Sequence, residues 1–176
     1  LRQTCLANHE FDFAVNAAVT AQQEFLFAAS SGLLQPDQVR DALGKYAVSM
    51  ALTSSWHRYT EDELQRAVRY QERSISLGND GAEAWGYLID LKIALFDATG
   101  DREPLEAAQT LAREQSLRLH EARAQLKIGL APPSKSRTER MQIFKSAVEL
   151  AKSSDTPKSY SARAERDLLI DLALEA

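Results

Sequence analysis

Residues 82–111 read AEAWGYLIDLKIALFDATGDREPLEAAQTL, and the fold follows from how this stretch is parsed. Trp85, Leu88, Ile89, Leu91, Leu95 and Phe96 recur near i, i+3, i+4, i+6, i+10 and i+11. At the helical period they cover one broad face, and a face that apolar must be buried. Trp85 is the expected keystone of that face, while Asp90, Lys92 and Asp97 fall largely on the other side. Gly100 can take the left-handed conformation that closes a helix without a Cβ clash. Asp101 then stands at an N-cap and Pro104 in a first turn, where a missing N–H costs little. Leu105, Ala108, Leu111 and Ala112 carry the apolar stripe onward. The stretch is therefore written as two antiparallel helices joined by a short turn.

Working outward, the same grammar repeats. Phe13, Ala17, Ala21, Phe25 and Ala28, with Val15, Leu26 and Phe27 beside them, predict a helix with a wide buried face from Leu6 to Ser30. Pro36 and Asp37 open a second helix through Val39, Leu43, Tyr46, Ala47, Met50 and Ala51 to about Ser54. After the connection Trp56-His57-Arg58-Tyr59, the spacing of Thr60 and Glu63 is that of a capping box, and a third helix runs from there to Leu77, stopped by Gly78-Asn79-Asp80. Beyond Pro104, the residues Leu111, Gln115, Leu119, Ala122 and Leu126 hold a period near 3.5 as far as Ile128. That favours one long helix over 104–128, with a kink near Ser116 as the alternative. Gly129 and the Ala-Pro-Pro-Ser-Lys-Ser run then break the pattern. Thr138 to Lys152 and Ser159 to Leu174 supply two more amphipathic helices, separated by a polar turn over Ser153 to Pro157.

No segment alternates with period two, so the fold class is all-α. Short links favour antiparallel neighbours, and two arrangements satisfy them: stacked hairpins forming a short right-handed solenoid, or a compact helical bundle. The solenoid is preferred, as a single domain over 1–176. A start at Leu1 in place of Met reads as a fragment of a longer chain.

Composition narrows function by exclusion. With 26% charged and 44% hydrophobic residues the chain is an ordinary water-exposed globular sequence. Its net charge of −4 gives no overall attraction to nucleic acid or anionic lipid. A single cysteine, Cys5, rules out an internal disulfide framework, and no apolar run reaches the ~20 residues that cross a bilayer. The N-terminus lacks the pattern of a signal peptide, and the reading adopted is cytoplasmic. His9-Glu10 and His120-Glu121 lack the second histidine, four residues on, of the helical zinc motif, since those positions hold Phe13 and Ala124. Glu61, Asp62 and Glu63 sit in a first turn, where the helix dipole favours anions. No phosphate-binding glycine loop or nucleophile elbow is present. The expectation is a non-enzyme with no cofactor and no metal.

The run Ala82-Glu83-Ala84-Trp85 with Leu88, then Gly100-Asp101, then Glu106-Ala107 resembles the tetratricopeptide repeat, and LQRAVRYQERSISLGND over Leu64 to Asp80 is similar to the second helix and exit turn of a preceding unit. The resemblance covers about a third of the chain and is to a divergent member. Ile89 stands where the family favours Gly, and the first helix is about a turn longer than the ~34-residue unit allows. The resemblance implies ligand contacts from the inward face of the first helix: Glu83, Gly86, Tyr87, Asp90 and Ala94. The Lys and Asn with which chaperone-binding members clamp a carboxylate are absent there. Acidic and aromatic residues suit a basic or mixed peptide segment, with Tyr87 as anchor.

Charge along the chain raises a second reading. Residues 61–109 hold five Lys or Arg against eleven Asp or Glu, whereas 110–176 hold twelve against nine. Arg113, Arg118, Arg123 and Lys127 give the long helix basic groups to turn toward RNA, though Glu114 and Glu121 are interleaved and no aromatic platform accompanies them. The leading expectation is a non-catalytic module that presents a helical groove to a protein or peptide partner. The alternatives are an RNA-binding helical repeat and an accessory domain of a larger enzyme.

Overall fold

The computed structural model describes residues 34–54, 57–131, 136–153 and 166–171, together with Thr20, Gln23, Phe27 and 30–32. Among them are six bounded helices: α1 (Pro36–Thr53), α2 (Glu61–Ser76), α3 (Ala82–Thr99), α4 (Arg102–Glu114), α5 (Arg118–Leu130) and α6 (Arg137–Ser153). Thr20, Gln23, Phe27, Ser30 and residues 166–171 are also helical, and no strand occurs among the described residues. The expected helices over Leu6–Ser30 and Ser159–Leu174 fall largely outside the described residues, as do the Ser153–Pro157 turn beyond Ser153, Cys5, His9 and Trp56. Phe27, placed by periodicity beside a buried face, is 77% exposed.

The chain divides into two compact units, Leu1–Thr99 and Gly100–Ala176. The two helices of the opening stretch thus belong to different units. α3 packs on α1 and α2, and α4 packs on α5.

In the first unit α1, α2 and α3 pack on one another. Local chemistry sets their ends. Gln35 donates its N–H to Gln38 Oε1 at 3.0 Å ahead of Pro36, the first helical residue. Thr60 and Glu63 form the expected reciprocal cap, with the Thr60 N–H on Glu63 Oε2 at 2.8 Å and the Glu63 N–H on Thr60 Oγ1 at 3.4 Å. Those bonds from Thr60 hold the Glu63 carboxyl below its ordinary pKa. α2 closes at Gly78 (φ +101°), where the N–H of Asn79 reaches the Ser74 carbonyl at 3.2 Å and that of Gly78 reaches Ile75 at 2.9 Å. This pair of bonds satisfies carbonyls the helix end would otherwise leave open.

The contact between α1 and α2 is close because Gly44 has no side chain. A Cβ there would lie 2.9 Å from Ser74 Oγ and 3.1 Å from Asn79 Nδ2. Ser74, fully buried, donates instead to the Arg40 carbonyl at 2.9 Å and accepts from Asn79 at 3.1 Å. Tyr46 packs edge-on against Tyr70 with ring centroids 5.3 Å apart. Burial pushes the Tyr46 hydroxyl up in pKa.

In the second unit α5 lies against both α4 and α6. Leu126, Phe144, Val148 and Leu169 form one cluster of its core, with Leu119, Ile143 and Ile170 at the margin. α4 begins as expected, Asp101 accepting the Glu103 N–H at 3.2 Å. The single long helix over 104–128 is not what forms. The chain breaks at Ser116, whose φ is +58°, the only positive value at a non-glycine among the described residues. The Leu117 N–H bonds the Ala112 carbonyl at 2.8 Å and the Ser116 N–H bonds Arg113 at 3.1 Å, which closes α4 with the geometry usually given to glycine. Arg113 in the last turn of α4 then reaches Glu121 in the first turn of α5 at 3.0 Å, tying the two helices across the break.

A left-handed serine costs about 1–2 kcal/mol, and glycine recovers part of this while loosening the unfolded chain. Ser116→Gly is therefore expected to raise stability by up to about 1 kcal/mol in urea titration. A loss of stability instead would show that the serine hydroxyl supports the start of α5.

Candidate interaction site on α3

α3 is buried on two stripes, Ala84, Leu88 and Leu91 on one and Gly86, Ile89 and Ile93 on the other. A helix apolar nearly all round belongs inside its unit, and this one is set against both preceding helices. Its first turn is fixed by Gln71, a fully buried side chain whose Nε2 donates to the Ala84 carbonyl at 2.8 Å. Further along, Lys92 Nζ meets Glu72 on α2 at 3.1 Å. Trp85, expected as the keystone of the buried face, is only half-buried, and Ile89 and Leu91, with no exposed surface, hold the centre.

What remains accessible on α3 includes one stripe. Glu83 is exposed, and Tyr87, Asp90 and Ala94 are half-buried. They stand at i, i+4, i+7 and i+11, the spacing of a single helix face. Gly86 is buried among the core-facing residues, so it belongs to the packing and not to this stripe. Asp97, exposed and one heptad beyond Asp90, extends the stripe by a further turn. Sequence reading set Asp97 outside the core but did not join it to Glu83 and Asp90; the repeated interval of seven was the available signal.

Several charged groups elsewhere are engaged in structure, and on the stripe itself Asp90 and Asp97 also have interaction partners. Glu61 accepts from Gln65 at 2.8 Å, and Glu63 belongs to the cap of α2. His57 packs edge-on to Tyr59, whose hydroxyl lies 2.6 Å from Thr53 Oγ1. In the second unit Arg118 Nη1 donates to the Ser153 carbonyl at 2.6 Å, capping the end of α6. Arg123 and Lys127 also have interaction partners. Among the described residues no group of three His, Cys, Asp or Glu gathers as metal ligands, and no helix is long and apolar enough to cross a membrane.

Comparison with protein-family models, with curated proteins and with solved structures gave no match to this chain.

Proposed function

We propose that this protein is a non-catalytic interaction module and that α3 presents its accessible stripe to a basic helical or extended protein segment. The observation that carries this is the acid–aromatic–acid order of Glu83, Tyr87 and Asp90 on a face of α3 that its own unit leaves partly open. A half-buried tyrosine one turn from the exposed Glu83 carboxylate offers an amphipathic ring for packing and an acceptor for Lys or Arg. The mutual packing of α1, α2 and α3 is compatible with the first three helices of a tetratricopeptide-like stack, in which such a face lines a groove.

The RNA-binding reading has less support. Arg113 is paired with Glu121 and Arg118 caps α6, so those guanidinium groups have structural duties.

Fluorescence anisotropy with a panel of amphipathic Lys- and Arg-containing peptides tests the proposal. Binding should weaken by at least about tenfold in Tyr87→Ala and in Asp90→Lys, with the melting temperature unchanged. Equal affinity in the wild type and both variants would reject the site.

A further inference from the structure

Residues 61–109 are acidic, yet three of their five basic side chains stand together on one ridge of α2. Arg66, Arg69 and Arg73 recur at i, i+3 and i+7, and all three are exposed. They lie on the side of the helix opposite Leu64, Ala67, Val68, Gln71 and Ser74, its buried residues. The ridge spans about 10 Å along the axis. No acid interrupts it. Asp62 stands one turn before it, and Glu72, a turn beyond Arg69, is held by Lys92 of α3 at 3.1 Å.

The fold of the first unit accounts for two of these arginines. Arg73 is in the last turn of α2, where the helix dipole favours a cation. Arg66 stands in the field of Glu63, whose carboxyl is held low chiefly by its bonds from Thr60 and in smaller part by that guanidinium. Arg69 has neither reason. It is in mid-helix, it forms no ion pair among the described residues, and its like-charged neighbours at i−3 and i+4 oppose the helix. A charge placed where its own unit gains nothing from it points outward, to something that binds there.

The chemistry of the ridge narrows what that is. Each position holds a guanidinium, whose planar fork pairs a carboxylate through two parallel hydrogen bonds, where an ammonium offers only a point charge. An extended polyanion, such as a nucleic acid or an anionic membrane surface, would overrun a ridge this short and set its own charges against the exposed Glu61 and Asp62 of the same helix. A short segment would not. We propose that the outer face of α2 docks an acidic helical protein segment whose carboxylates repeat at intervals of three and four residues, matching Arg66, Arg69 and Arg73. This site takes the opposite charge to the α3 face and does not depend on it.

The test is fluorescence anisotropy of the full chain with a labelled helical peptide carrying glutamates at that spacing, beside the same peptide with glutamine at those positions. The glutamate peptide should bind, weaken as salt is raised, and exceed the glutamine peptide by at least about tenfold. Arg69→Glu should lose at least about tenfold in affinity, and Arg69→Lys, which keeps the charge without the fork, should fall between. Circular dichroism confirms that each variant is folded. The melting temperature of Arg69→Ala should be equal to or above that of the wild type, because the side chain supports nothing in its own unit.

No binding of the glutamate peptide, or equal binding by Arg69→Glu, overturns the proposal. So does a lower melting temperature in Arg69→Ala, which would assign the arginine to the fold. Tighter Arg69-dependent binding of single-stranded RNA or of phosphatidylserine vesicles would overturn it in favour of a polyanion. Basic peptides that bind through Tyr87 should be indifferent to Arg69→Glu, so the α3 face and the α2 ridge stand or fall separately.

Discussion

Replacing Ile89 by glycine is expected to destabilise the first unit by about 4 kcal/mol, combining the loss of a buried isoleucine with the cost of glycine inside a helix. Ile89 has no exposed surface and lies on the stripe of α3 that also holds Gly86 and Ile93. The substitution separates two accounts of the helix. In the tetratricopeptide pattern this position favours glycine so that helices can approach, and a chain built on that pattern would accept the change. Here the side chain fills the interior of its unit, and removing it leaves a cavity that the neighbouring helices close only in part. Urea titration followed by tryptophan fluorescence and by circular dichroism measures the loss. Ile89→Val, which removes one methyl group and keeps the branched shape, should cost about 0.5–1.5 kcal/mol. A loss below about 1 kcal/mol for the glycine variant would show that α3 is not packed through Ile89.

The opposite change at Gly129 is expected to be nearly as severe. A Cβ built there runs into Cε1 of the Phe144 ring, with Cδ1 and Cζ both 3.1 Å away. Phe144 is 4% exposed and packed with Leu126, Val148 and Leu169, so the ring has little room to retreat. Alanine normally stabilises a helix by about 1 kcal/mol over glycine. At this site overpacking should outweigh that gain and leave Gly129→Ala destabilised by about 1–3 kcal/mol. Combining it with Phe144→Leu provides the decisive comparison. The smaller side chain makes room for the new methyl, and the double variant should be more stable than the sum of the two single losses by roughly 1 kcal/mol or more. Simple additivity would mean that α5 and α6 do not meet at this point.

These two residues also show why part of the molecule was legible in its sequence and part was not. Helix ends depend on groups within a few residues of one another, and the signals of Pro36, the Thr60 and Glu63 pair, Gly78 and Asp101 were all realised at their expected places. Gly129 carries the same local signal as a terminator, yet α5 runs through it to Leu130. Its reason is Phe144, fifteen positions away and brought close only by packing. At Ser116 the chain follows the alternative reading, a break, in place of the favoured continuous helix. The apolar period continues through it, while a serine took the left-handed position that periodicity would assign to glycine, and the ion pair from Arg113 to Glu121 bridges the break.

For the candidate site, the resemblance to the tetratricopeptide repeat was what grouped Glu83, Gly86, Tyr87, Asp90 and Ala94, and all but Gly86 share one helix face. Burial was not legible in that resemblance. The sequence assigned α3 a single buried face centred on Trp85, but a helix set against two others buries two stripes, and that moved Gly86 into the packing and left Trp85 half-exposed. By itself, then, the sequence determined an all-helical chain, most of its helix boundaries and the charge order along each helix, since these depend on local hydrogen bonding and on the 3.6-residue period. The tertiary structure decided which apolar faces are interior, where a glycine serves contact in place of termination, and that the two helices of residues 82–111 fall in different compact units. Those outcomes depend on side chains distant in sequence competing for the same space, which no local pattern records.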